Sequence, residues 1–218
     1  MAIQAGETTF YQAKRGIVQN GLVLNLDAAI DASYSGGTTW RDLEGNTNGT
    51  LTAGPVFKKN NGGSIAFDGT DDRVSLGTAA NVYRGLFTAN FWVKFSSFNT
   101  VLLGHVNTYA AYIASSSLVY IRNSQGFQST SSFSLSTDTW ENITVTRNYT
   151  DVKFYQNGGV VGSITMGDAS QYLSTLGAYS NGGFALSGEV SIFNLYSRAL
   201  TATEVLQNYN ATRHRFGV

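Results

Sequence analysis

Three aspartates in the stretch "SIAFDGTDDRVSLG", Asp68, Asp71 and Asp72, crowd together and are followed at once by Arg73. Clustered carboxylates are the ligand set of a hard cation such as Ca²⁺, which takes about six to eight oxygens at about 2.3–2.6 Å. The same letters also spell a β-turn. Asp and Gly accept left-handed backbone geometry, and an Asp carboxylate bonds the backbone two residues on. Arg73 places a positive charge beside the acids without any metal. The turn is the favoured reading, with no cofactor required. Asp71 and Asp72 are then expected to be surface turn positions of small energetic weight. A Ca²⁺ site at Asp68, Asp71 and Asp72 is the alternative.

Paired carboxyls would be the mark of a glycosidase. Hydrolysis needs two of them flanking the scissile bond, about 5–5.5 Å apart for retention and about 6.5–9.5 Å for inversion. The glutamates, Glu7, Glu44, Glu141, Glu189 and Glu204, are scattered singly. Only Glu189, opening the run "EVSIFNLY", sits on a strand from which it could project, and no acid lies two or four residues on. His105 and His214 are far apart, with no His-Glu-x-x-His spacing, and there is no Gly-x-Ser-x-Gly elbow. The chain is expected not to be an enzyme.

Aromatic residues offer a different chemistry. "TYAAYIASSSLVYIR" sets Tyr109, Tyr112 and Tyr120 among small polar residues, with Arg122 on the same strand face as Tyr120. A flat ring covers the apolar face of a pyranose, and a guanidinium donates to hydroxyls. Tyr109, Tyr112, Tyr120 and Arg122 are therefore the candidate ligand-binding residues. The alternative is an exposed tyrosine surface that meets another subunit. Trp40, Trp92 and Trp140 are further stacking candidates.

These side chains need a scaffold, and period-two alternation dominates the chain. Leu22, Leu24 and Leu26 oppose Asn25 and Asp27; Phe91, Val93 and Phe95 oppose Trp92 and Lys94; Ile143 and Val145 oppose Asn142, Thr144 and Thr146. Such strands have one dry and one wetter face. Asn157-Gly158 in "VKFYQNGGVVGSI" supplies the positive φ angles of a type I′ hairpin. Further strands are expected near 101–104, 110–114, 118–122, 131–135 and 184–196. At about a dozen strands this predicts an all-β, two-sheet antiparallel jelly-roll sandwich. A short C-terminal helix follows, where Thr201 and Glu204 form a capping box and Val205, Leu206 and Tyr209 recur at helical spacing.

Composition agrees. The 218 residues include 24 glycines, one proline and no cysteine, with zero formal net charge. Strands joined by tight turns suit the glycines, and no Lys/Arg run suggests nucleic acid. No stretch approaches the ~20 apolar residues of a membrane span. Residues 1–20, "MAIQAGETTFYQAKRGIVQN", lack both strand alternation and the apolar core of a secretory leader. They read as an N-terminal attachment arm, and residues 21–218 as one jelly-roll domain.

Taken together, "LVLNLDA", "TTWRDLEGNTNGTL", "GGSIAFDGTDDRVSLG", "TANFWVKF", "TWENITVTRNYTDVKFYQNGGVVGS" and "LSGEVSIFNLYSRALTATEVLQNYNA" resemble the laminin-G-like, concanavalin A-like lectin/glucanase superfamily. That resemblance implies the jelly roll and core-closing roles for Trp40 and Trp140. It also implies a catalytic Glu-x-Asp-x-x-Glu strand in the glucanase branch, which this chain does not have. The ending "RALTATEVLQNYNATRHRFGV" is similar to such domains in structural proteins of tailed phages, especially those of marine cyanobacteria. It implies a virion surface protein, decorating the capsid or forming a short tail fibre. Such a protein is made in the host cytoplasm, held to other virion proteins by the arm, trimeric, and able to touch cell-surface glycans. The alternatives are a bacterial extracellular carbohydrate-binding module and, third, a glycosidase.

Overall fold

The structure, a computed structural model, describes residues 16–77, 85–105, 108–130, 132–169 and 173–218. The strands β1 (Leu22–Asp27), β2 (Thr39–Trp40), β3 (Gly49–Thr52), β4 (Val56–Lys58) and β5 (Ser64–Asp68) come first. Next are β6 (Arg73–Ser75), β7 (Leu86–Phe95), β8 (Thr100–His105), β9 (Thr108–Ile113), β10 (Val119–Asn123) and β11 (Gly126–Thr130). The series ends with β12 (Trp140–Asn148), β13 (Asp151–Gln156), β14 (Gly159–Thr165), β15 (Thr175–Leu176) and β16 (Ser187–Tyr196), then helix α1 (Ala202–Thr212).

They form two antiparallel sheets of eight strands each, the jelly-roll sandwich that the alternation predicts. The first runs β14-β13-β12-β7-β16-β5-β4, with β1 also paired to β16; the second runs β11-β10-β9-β8-β15-β6-β3-β2. Leu24, Leu26, Phe91, Val93, Phe95, Ile143, Val145 and Phe193 face inward from the first sheet. They meet Leu103, Ala111, Ile113, Val119, Ile121 and Leu176 of the second. Each Val, Leu, Ile or Phe among them contributes about 1.5–3 kcal/mol when fully buried. Among the described residues, no helix is long and apolar enough to cross a membrane.

The expected wetter face of the first sheet is a correction, because it too is covered. Asn142, Asn90, Asn194 and Asn25 form a row across β12, β7, β16 and β1, in which Asn142 donates its side-chain amide to Asn90, Asn90 to Asn194 and Asn194 to Asn25, at 3.0–3.1 Å. All four are buried. Helix α1 lies over this face. Trp92, fully buried, stacks on Tyr209 and Phe216 and donates to Thr212 Oγ1 at 2.7 Å. That removes Trp92 from the stacking candidates. The helix begins as predicted, with Glu204 N bonded to Thr201 Oγ1 and Thr201 N to Glu204 Oε2. Its buried face is Val205, Asn208 and Tyr209, whereas Leu206 is exposed.

Asn157 and Gly158 sit at φ 51° and 80°, as the type I′ turn requires. A strand at 131–135 is also corrected. The ladder strand is β11, and Phe133 and Leu135 instead donate their backbone N–H groups to Ser117 and Ser116 in the turn before β10. Of the arm, residues 1–15 lie outside the described residues. Ile17 and Val18 are buried beside Tyr196, Leu200 and Val205. Val18 N donates to Asn208 Oδ1, and Tyr196 Oη donates to the Val18 carbonyl.

Candidate functional site

A regular strand would send Tyr109 and Tyr112, three residues apart, to opposite faces. Here they share one. In β9 the register slips, so that Tyr112 pairs with Tyr120 and Tyr109 with Arg122 across β10. Three residues of β9 thus answer two steps of β10, a β-bulge, and Ala110 and Ala111 both turn into the core. The outer face of the second sheet becomes a small grid. One row is Tyr109, Arg122 and Phe127; the next is Tyr112, Tyr120 and Ser129. All four predicted ligand-binding residues, Tyr109, Tyr112, Tyr120 and Arg122, line one open depression of about 380 Å³, together with Ala114 and Phe127.

The rings touch in sequence. Ring centroids lie 5.5 Å apart for Tyr109–Tyr112, 5.8 Å for Tyr112–Tyr120 and 5.8 Å for Tyr120–Phe127. Tyr179 and Phe184 extend the surface, with Phe184 edge-on to Tyr112 and Tyr179 at 5.4 Å from each. These two come from a loop tied by bonds between Tyr179 N and the Gly183 carbonyl and between Gly182 N and the Tyr179 carbonyl. Phe184 sits at φ 54°, an uncommon conformation for a bulky residue. Val101 N and Thr100 Oγ1 both donate to its carbonyl and hold it there. Tyr112 Oη donates to Asn99 Oδ1, which fixes that ring.

The depression is partly dry. Burial pushes the Tyr109 hydroxyl up to about 12, with Arg122 acting in the opposite direction. Burial also raises Tyr112 and Tyr179. Tyr109, Tyr112 and Tyr179 are therefore neutral hydroxyls at pH 7. Phe127, Tyr179 and Phe184 were not singled out from sequence. The Gly-rich stretch "GAYSNGGFAL" between strands was the available signal for the last two.

The aspartate turn lies next to that loop, where a Cβ on Gly182 would sit 3.1 Å from Asp71 Cβ. Candidate ligand oxygens of Asp68, Asp71 and Asp72 lie within 4.8 Å of one another. The turn chemistry is present. Thr70 N bonds Asp68 Oδ1 at 2.8 Å, Asp68 N bonds Asp72 Oδ2 at 2.9 Å, and Gly69 has φ 83°. Two expectations change. Asp72 is buried rather than exposed, with burial the main cause raising its pKa. Arg73 donates to the Asp71 carbonyl at 3.0 Å, and among the described residues it pairs with none of the three carboxylates. The donor set is all oxygen, as Ca²⁺ requires, but one oxygen of Asp72 already serves the turn.

The described glutamates sit elsewhere. Glu141 accepts from Gln156 and Asn157, Glu189 from Ser64 and Lys94, and Glu204 from Arg198. His105 Nδ1 lies 2.7 Å from Ser174 Oγ. Trp40 is buried in the main core, whereas Trp140 packs on Phe216 beneath the first sheet.

A sandwich of two antiparallel sheets bearing an aromatic outer face defines a lectin-like jelly roll. The family profile Laminin_G_3, of the concanavalin A-like lectin/glucanases superfamily, matches residues 68–206, and the chain belongs to that family. Among curated proteins, none matches the sequence. Among solved structures it is similar to domain 4 of AbnA, an extracellular GH43 arabinanase of Geobacillus stearothermophilus in complex with arabinotriose. The TM-score is 0.69 and the identity 15%, over 89% of this chain and 100% of that one. The binding domain of Paraclostridial Mosquitocidal Protein 1 matches with TM-score 0.65 and 18% identity, over 88% of this chain. Trypanosoma rangeli sialidase matches with TM-score 0.66 and 14% identity, over 97% of this chain. This chain spans 52% of the mosquitocidal fragment and 38% of the sialidase, and at such identities the likeness is one of fold.

Proposed function

We propose that this chain is a non-enzymatic carbohydrate-binding domain that holds saccharides on the outer face of its second sheet. The observation that carries the reading is the continuous run of rings from Tyr179 through Tyr109, Tyr112 and Tyr120 to Phe127, with Arg122 set among them. No carboxylate is among the residues lining the depression, which supports binding without hydrolysis. The arabinotriose complex of the AbnA domain supports sugar as the ligand class.

The setting we propose is the surface of a tailed phage particle, supported by the likeness of the C-terminal stretch to phage structural proteins. There the chain is a homotrimer, the N-terminal arm up to residue 15 attaches it to other virion proteins, and the jelly roll faces outward. The extracellular origin of AbnA favours a second setting, a bacterial extracellular glycan-binding module.

Screening the protein on a glycan array, followed by titration calorimetry on the hits, tests the binding. Tyr120→Ala is expected to weaken binding about tenfold while leaving the fold intact, because it removes the ring that links Tyr112 to Phe127 in the run. A wild type that binds no glycan, or a Tyr120→Ala variant that binds as well as wild type, refutes the site. Deleting residues 1–15 should leave a folded sandwich that no longer joins the particle, and normal incorporation would refute the attachment role.

A further inference from the structure

The depression has one cation and no anion in its lining. Arg122 is half-buried at the middle of its row, with Tyr109 on one side and Phe127 on the other. The loop beside the depression, Tyr179 to Phe184, brings serine, asparagine and glycine but no acid. Asp71 lies beside Gly182 of that loop and is not among the residues lining the depression. A guanidinium carries five N–H donors in a planar fork, so a bond to a neighbouring side chain still leaves donors for a ligand. Hydroxyls of a neutral sugar need no such group, since Tyr109, Tyr112 and Tyr120 already supply donors and acceptors. A half-buried cation in register between two aromatic residues is matched by a carboxylate.

We infer that the depression selects acidic saccharides of the uronic-acid type, whose carboxylate meets the Arg122 fork while the pyranose ring lies against Tyr112 and Tyr120. This rests on the glycan-binding reading above and sharpens it. The rings supply binding that any sugar of suitable shape obtains; Arg122 supplies the preference for charge. Because the face is open, the preference is partly screened and falls as salt rises.

The test compares trisaccharides of galacturonate, glucuronate and mannuronate, each against its neutral methyl ester, by titration calorimetry at low and high ionic strength. For the uronate that fits, the acid is expected to bind about tenfold more tightly than its ester at low salt, the factor one charge-assisted hydrogen bond supplies. Arg122→Gln should equalise acid and ester, and Tyr120→Ala should weaken both alike. A melting curve for each variant confirms that it is folded. Equal or stronger binding of the ester by the wild type overturns the inference and leaves the glycan reading standing. So does an acid preference that survives in Arg122→Gln. If the wild type binds none of the six compounds, the acidic-saccharide inference falls. A blank glycan array would bring down the glycan reading itself.

Discussion

Asp71→Ala and Asp72→Ala, made separately, distinguish a turn from a calcium site. The two residues are adjacent in sequence but not in environment. Asp71 is exposed, whereas Asp72 is 3% exposed and its Oδ2 accepts the Asp68 amide at 2.9 Å. Truncating Asp72 removes a charge-assisted bond worth about 1.5–3 kcal/mol. Part of that is returned, because burial and the charges of Asp68 and Asp71 disfavour the ionised form, as the raised pKa records. The net expectation is a loss of about 1–2 kcal/mol. For a domain of this length, at about 2–4 °C per kcal/mol, that lowers Tm by about 2–8 °C. Asp71→Ala should stay within about 0.5 kcal/mol. Asp72→Asn, which keeps an acceptor and drops the charge, should recover most of the loss. Differential scanning calorimetry in EDTA and in millimolar Ca²⁺ completes the test. A turn predicts the same Tm in both. A native-state Ca²⁺ site filled to a hundredfold excess over Kd would add about 2.7 kcal/mol. A rise of about 5 °C or more with Ca²⁺, lost in Asp71→Ala, would refute the turn reading.

Two further expectations concern the first sheet and its helix. Arg198, bonded to both oxygens of Glu204, is the main cause holding the Glu204 carboxyl down at about 2, below its ordinary 4.5. A depressed carboxyl stabilises the fold above about pH 4.5, and that contribution is lost as pH falls towards 2. With the pair partly exposed, Glu204→Gln should cost about 1 kcal/mol at pH 7, and urea midpoints of variant and wild type should converge across that acid window. Asn90→Leu strips three bonds from the buried row, to Asn194, Asn142 and Thr144, and should cost about 2–5 kcal/mol by urea denaturation. Saccharide affinity per folded molecule should be unchanged, since the row lies on the other sheet.

The elements with local chemistry were legible in the sequence. Alternation at Phe91, Val93 and Phe95 or at Ile143 and Val145 reports burial directly, Asn157-Gly158 names its own turn, and Thr201 with Glu204 caps a helix within four residues. Distant packing was not. Nothing local to β7 or β12 says that a helix beyond residue 200 will cover Trp92 and Asn142, so the covered face read as wet. The candidate site was half visible for the same reason. Tyr120 and Arg122 share a face by spacing alone, but Tyr109 joins them only because β9 bulges at Ala110 and Ala111. Tyr179 and Phe184 arrive from a loop whose place depends on a bond to Val101. Asp72 was misjudged as exposed because turn composition does not reveal which carboxylate tucks under the loop.

Strand β1 pairs with β16, so the first sheet is completed by residues from opposite ends of the domain. About 160 residues separate Asp27 from Ser187. At about 5–20 residues per second, a ribosome needs on the order of ten to thirty seconds to supply that partner after β1 has been made. Throughout that interval Leu24 and Leu26 have no inner face to join and Asn25 has no Asn194 to bond. The sheet cannot be assembled in the order of synthesis: β12, β13 and β14 can zip as successive hairpins, while the earliest strand waits for the latest. A nascent chain stopped before residue 187 therefore presents an apolar strand with a bare edge, the form most open to capture by a chaperone or by another unfinished copy.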